Sequence, residues 1–379
     1  MNRIVLLTLF SMAILACSSD NGEETPPVDG KPDDPKEVTF ERSTLLVNWA
    51  DNIIIPSYEA FVTDLDGLNS AFETFRPDAS TENLLALRNA WLAAYKSWQW
   101  VSMFEIGPAE NVGLRLNINT YPTNIDRIEQ NIVSTGYDLS LPSNREAKGF
   151  PALDYLINGL GESDEAIVSK YNEVDRDALI SYIEAVLNDM TTLSKEVLAS
   201  WKDGYRDSFI ANDGSSATAS VDRFVNDYIF YYEKFLRAGK MGIPLGVFSG
   251  SALPDKLEAY YKGDASNVLF LEGLSAVQDF FNGKHFGKSS SGESLASYLD
   301  ALNELKNGED LTDLINGQFD KAREMVSALD PFLEELENNA VPTQMSLAYD
   351  EVQRAVPLLK VDMVSAMSIS IDFVDADGD

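Results

Sequence analysis

The chain has 379 residues, 45% of them hydrophobic, with 61 acidic residues against 29 basic ones and a net charge of −32. A surface that acidic repels nucleic acid and anionic lipid headgroups, and attracts cations and basic partners. A single cysteine and a single histidine exclude an intramolecular disulfide, a cysteine-based zinc or iron–sulfur centre, and the two-histidine helix of a zinc peptidase.

The amino-terminus reads as an address. Residues 1–16 carry one positive charge, Arg3, and an apolar run from Ile4 to Ile14. That run is too short to span a bilayer and fits the core of a signal peptide. Leu15 and Ala16 lead into Cys17, which resembles the lipobox of bacterial lipoproteins. The resemblance implies cleavage before Cys17 and a multi-chain lipid anchor on it, enough to hold a domain stably on a membrane. The alternative is an ordinary secretory signal with an incidental cysteine. Residues 17–38, with Pro26, Pro27, Pro32 and Pro35 among acidic and polar neighbours, read as an extended linker. Ser18 fits sorting to the outer membrane, facing the periplasm or the cell surface. Asp20, Glu23 and Glu24 resemble the export signals of surface lipoproteins.

The remaining body, about 340 residues, exceeds what one hydrophobic core usually serves, so two helical bundles are expected, over 39–205 and 206–379. Its dominant period is helical. Leu46–Phe75 reads as a helix that Pro56 can kink. In 78–105, Leu84, Leu87, Trp91, Tyr95 and Trp98 recur at steps of three and four, with Ser80 as N-cap and Gly107-Pro108 as stop. An irregular crossover follows, with one short helix at 125–132, and then the segment Gly149–Gly159, GFPALDYLING. The stripe Leu179, Ile183, Val186, Leu187, Met190 and Val197 predicts a long helix over 175–201. A Gly/Ser stretch, 213–220, precedes a helix over 221–238, and the Gly and Pro of 239–250 predict a loop. Helices are expected at 268–281, 294–305, 311–338 and 343–373, with Pro331 and Pro357 breaking or bending the last two. With no sustained period-two alternation, the fold class is all-α, with antiparallel helical bundles packed together and little or no sheet.

Four segments resemble the imelysin-like family of bacterial envelope proteins: Ala90–Pro108, Tyr121–Ile132, Phe230–Gly246 and Leu358–Asp379. The fifth and decisive one is GFPALDYLING. It is similar to the family's Gly-x-His-x-x-Glu motif, with Gly149 kept, Pro151 at the histidine position and Asp154 at the glutamate position. In the family pattern a His and a Glu three residues apart share one helix face and can reach one metal ion. The resemblance implies a two-bundle all-α fold, a role linked to iron uptake, and a metallopeptidase label inherited from an early member. The missing imidazole weighs against the hydrolytic alternative. No serine sits in a nucleophile elbow, and His285, in the loop NGKHFG, reads as a surface histidine.

Within the family-like segments, Glu105, Asp154 and Glu233 each stand beside large apolar residues. Converging on one cleft, they would make an oxygen-ligand site for iron or another divalent or trivalent metal. Taken singly, each reads better as a structural carboxylate at a helix end or in a salt bridge, with Arg127, Arg237 or Lys240 as partners. Trp100 and Tyr231 lie off the main apolar stripes and are candidate cleft walls. Asp375, Asp377 and Asp379 form half of a calcium-loop pattern without the distal glutamate, and a solvated tail is the default reading beside a weak calcium site. The reading is a lipid-anchored binding protein whose partners are the membrane and a small ligand, metal or metal chelate. A metal-dependent peptidase and a surface scaffold lipoprotein are the alternatives.

Overall fold

The computed structural model describes residues 40–134, 136–302, 305–306, 309–339 and 341–372. Cys17 and the rest of the leader and linker, and the tail aspartates Asp375, Asp377 and Asp379, lie outside the described residues.

The described residues are mostly helical. The strand pairing found among the described residues is a two-residue antiparallel ladder, Leu305–Lys306 against Glu309–Asp310, and one isolated bridge, Lys284 to Ser291. None of the described helices is long and apolar enough to cross a membrane.

The first long helical run covers Arg42–Asn48, a π-helical stretch Trp49–Ile54, and Ile55–Phe75. The wider turn falls just before Pro56, where the ladder must give up a donor anyway. Thr81–Trp98 follows, capped as its sequence demands: the Ser80 side chain accepts the Asn83 N–H. Ile55–Phe75 packs against both Thr81–Trp98 and Arg176–Ser200. Later in the chain, Leu311–Ser327 packs against Thr343–Pro357 and against Ser266–Phe281. Pro331 stands just ahead of the separate helix Phe332–Asn338, and Pro357 marks the change to the π-helical turn Leu358–Met363.

The expected loop at 239–250 is corrected by the structure. After Ser220–Phe230 the helix continues as a π-helix over Tyr231–Gly242 and closes with Ile243–Leu245. Gly239 lies inside it, and Pro244 is the second residue of the last piece, just before the helix ends. The chain leaves the helix only at Gly246, at φ 84°.

One aromatic group joins the early and late helices. Trp49 meets Phe224 at 5.1 Å and Phe280 at 4.9 Å between ring centroids. Phe104 lies 5.8 Å from each of those two phenylalanines, and Phe224 is 4.8 Å from Phe280. The four rings are at most 1% exposed. At the periphery Arg42 donates to Asp222 at 2.7 Å and to the Tyr298 hydroxyl at 3.0 Å.

Candidate functional site

The segment Gly149–Gly159 is fixed by its backbone first. Gly149 has φ 73°, and a Cβ there would lie 2.0 Å from the carbonyl oxygen of Ile118. Only glycine fits that approach. Its neighbour Lys148 is 1% exposed and reaches Asp189 on the long helix at 2.8 Å. Phe150 stacks on Tyr95 at 4.3 Å, and its carbonyl accepts the indole N–H of Trp91. Tyr182 and Tyr171 donate to the carbonyls of Ala147 and Leu156, both at 2.6 Å. Pro151 sits in the first turn of the short helix Gly149–Asp154, where no intrahelical N–H is called for.

Asp154 ends that helix at 1% exposure. Its carboxylate faces residues 254–264, a strap between Gly250 and the helix Ser266–Phe281. One oxygen accepts the backbone N–H of Tyr261 at 2.8 Å; the other accepts that of Lys262 at 3.0 Å and the Asn158 amide at 2.9 Å. Burial pushes the Asp154 carboxyl up to about 7, against the pull of those donors and of the Lys262 charge.

The same strap is held a second time by Glu258, also 1% exposed. Its carboxylate pairs with the buried ammonium of Lys240 and accepts Asn119 at 2.7 Å and Gln99 at 3.3 Å. Asn119 in turn accepts the Tyr95 hydroxyl at 2.5 Å. Burial lowers the Lys240 ammonium, with the Glu258 charge opposing. Asp154 thus reaches out to the strap's backbone, and Glu258 reaches back from the strap to the early helices.

Between strap and motif lies a cavity of about 230 Å³, walled by Tyr121, Pro151, Asp154, Leu257, Tyr260 and Tyr261. Tyr261 lies 5.2 Å from both Tyr155 and Tyr260. Its ring rests on Gly159, where a Cβ would come within 2.5 Å of it.

The other acids singled out in the sequence are elsewhere. Glu105 borders a different cavity, of about 300 Å³, with Glu110, Arg115, Arg223 and Asp227. It accepts the Arg115 N–H at 2.9 Å, and burial lifts it to about 7 against the Arg115 charge. Glu233 is buried among Lys360 at 2.9 Å, Lys234 at 3.6 Å and Arg237 at 3.9 Å. Of the three partners named from sequence, Arg237 therefore serves Glu233, Lys240 serves Glu258, and Arg127 donates to Gln130 on the surface. Tyr231 is buried and accepts the Ser102 hydroxyl, so it walls no cleft. Trp100 donates to Glu272 at 3.0 Å, and His285 pairs with Ser290 at 2.9 Å.

Glu105, Asp154 and Glu233 therefore do not share one metal site. Among the described residues, no group of three or more His, Cys, Asp or Glu is arranged to hold an ion. Nor does the motif itself fit one. Pro151 offers no donor atom, and both oxygens of Asp154 face N–H groups whose hydrogens stand where a cation would. Sequence reasoning missed Glu258, Tyr260 and Tyr261. The signal was an acid between Leu257 and Ala259, followed by two tyrosines and the Gly263 turn.

The Peptidase M75 family model, described as Imelysin, matches residues 54–356. A curated relative, "Iron-regulated protein A" of Synechococcus elongatus, is 28% identical over 109 residues, which is 29% of this chain and 30% of that protein. The fold is similar to the crystal structure of an iron-regulated protein A precursor from Parabacteroides distasonis, at a TM-score of 0.69 and 16% identity, covering 88% of this chain and 98% of the other. It is similar too to an imelysin-like protein from Psychrobacter arcticum, at a TM-score of 0.67 and 18% identity, covering 88% and 97%. The helical fold is common to these structures, and the family model spans most of the chain: this protein belongs to the imelysin family, alongside the iron-regulated protein A homologues.

Proposed function

We propose that this imelysin-family protein is a binding protein of the bacterial envelope, tethered through Cys17, that serves iron-linked uptake. Its ligand enters the cavity between the motif and the strap. The observation that carries this reading is the cavity itself: about 230 Å³, lined by three tyrosines and the buried Asp154. A few convergent polar groups among aromatic walls are the usual make-up of a small-molecule site. The link to iron rests on the names of relatives, the iron-regulated proteins A of two other bacteria.

The donor set argues for the kind of ligand. A bare ion would need open oxygens, and those of Asp154 already accept three N–H groups. A preformed metal chelate or another small organic molecule needs only shape, aromatic faces and a few hydrogen bonds. Hydrolysis is the weaker reading. The chain's one histidine is engaged with Ser290, and the motif lacks a nitrogen ligand.

Calorimetric titration of the mature protein with ferric citrate, and with citrate alone, tests the binding role. A saturable signal for the ferric chelate, weakened about tenfold or more by Tyr261→Ala, is expected. Chelator-sensitive cleavage of a denatured protein, with no chelate binding, would reverse the reading. Fatty-acid labelling that disappears in Cys17→Ser tests the tether.

A further inference from the structure

We propose that the motif's acid has exchanged metal ligation for holding backbone: Asp154 and Glu258 form a metal-free double clasp that positions Tyr260 and Tyr261 as walls of the ligand cavity. The inference deepens the binding reading above and rests on it for what the clasp serves.

The first ground is how much of the Asp154 carboxylate is already taken. A carboxylate offers about four lone-pair sites on two oxygens. Here three are taken, two of them by consecutive backbone N–H groups of the strap and one by Asn158. Consecutive amides aimed at one carboxylate mimic the anion-binding turns of other proteins, with the anion supplied by the protein itself. A cation entering there would meet hydrogens rather than lone pairs.

The second ground is that the strap needs outside support. It contains a non-glycine residue in the left-handed region, Ala259 at φ 56°, and a glycine at φ 76°, Gly263. Left-handed backbone at alanine is costly and persists where the surroundings over-determine it. Ala259 lies directly after Glu258 and two residues before the first amide that Asp154 holds. The two carboxylates bracket the strained residue.

The third ground is direction. Glu258 draws the strap onto Gln99, Asn119 and Lys240, while Asp154 draws it onto the motif helix. Tyr260 and Tyr261 fall between or beside those anchor points, so their ring positions follow from the clasp.

Hydrogen–deuterium exchange of the full mature protein, without ligand, tests this. The readout is exchange of the 254–264 peptide against that of Thr81–Trp98. The expected result has two parts. Exhaustive EDTA dialysis, or added ferric, zinc or manganese ions, leaves the strap's exchange unchanged in the unsubstituted protein. Asp154→Asn speeds strap exchange by about ten- to a hundredfold while the helix is unaffected. Asp154→Glu keeps the charge, cannot seat both oxygens on the same amides, and is expected to loosen the strap as well; it guards against a folding failure of the first variant. The proposal is overturned if EDTA alone loosens the strap, if a stoichiometric metal is bound and lost on substitution of Asp154, or if both variants leave the strap protected. Chelate binding is measured separately, so the failure of either reading is visible without the other.

Discussion

The ring of Phe150 lies flat on that of Tyr95, 4.3 Å apart and 7° from parallel. Phe150 follows Gly149 and precedes Pro151, so this stack seats the whole motif on the Thr81–Trp98 helix. The hydroxyl of the same tyrosine leads through Asn119 to Glu258. Motif and strap therefore share one foundation, and three consequences can be measured.

The motif glycine is required by contact, whatever became of its histidine. Gly149→Ala would force a left-handed alanine into the carbonyl of Ile118. A loss of about 3 kcal/mol or more is expected, because backbone strain and steric overlap act together. Urea denaturation measures it. A loss within about 0.5 kcal/mol, the range of an ordinary surface substitution, would mean that the motif's backbone is free to relax.

The buried pair Glu258–Lys240 makes a second case. Removing one member strands a buried charge, which typically costs about 3–5 kcal/mol. Lys240→Met and Glu258→Gln should each destabilise strongly, and the double variant should be much less unstable than the sum. The coupling in a double-mutant cycle is the check. Additive losses would show that the two side chains do not depend on each other. Asn119 and Gln99 keep part of the Glu258 hydrogen bonding in the lysine variant, so its loss should be the smaller of the two.

Stability should fall as pH rises. Burial, opposed by Arg115, holds the Glu105 carboxyl up to about 7, and Asp154 is likewise pushed up to about 7. A group that binds its proton more tightly folded than unfolded stabilises the fold fully below its unfolded value and loses that contribution as pH rises through its folded one. The decline should span from about pH 4, the ordinary carboxylate value, to about 7. Glu105→Gln should flatten part of it. Denaturation midpoints across that range decide the matter; a wild-type midpoint that rises over the window would contradict the assignment.

Much of the architecture was legible because it is periodic. The apolar spacing of Leu84 to Trp98, and of Leu179 to Val197, is dictated by helix geometry, and Ser80 caps where a short polar side chain must. Gly149 and Asp154 stood out through their family pattern. What stayed hidden was of two kinds. The separation of Glu105, Asp154 and Glu233 depends on how distant helices rotate against one another, which no local window encodes. Glu258 and Tyr261 sit in an irregular strap, where a side chain's direction is set by long-range partners such as Lys240 and Asp154 rather than by any repeat. The helix through Gly239 was misread because Gly and Pro were weighed as breakers without the π-helical turn that absorbs them.

The four-ring group of Trp49, Phe104, Phe224 and Phe280 bears on the order in which the molecule is made. Two of its members leave the ribosome early, and Phe280 emerges only after most of the polypeptide is out. Until then Trp49 and Phe104 lack the late ring that packs against both. Assembly of this part of the core therefore waits for the late portion, and a chain stopped short of Phe280 would leave Trp49 and Phe104 without their shared neighbour.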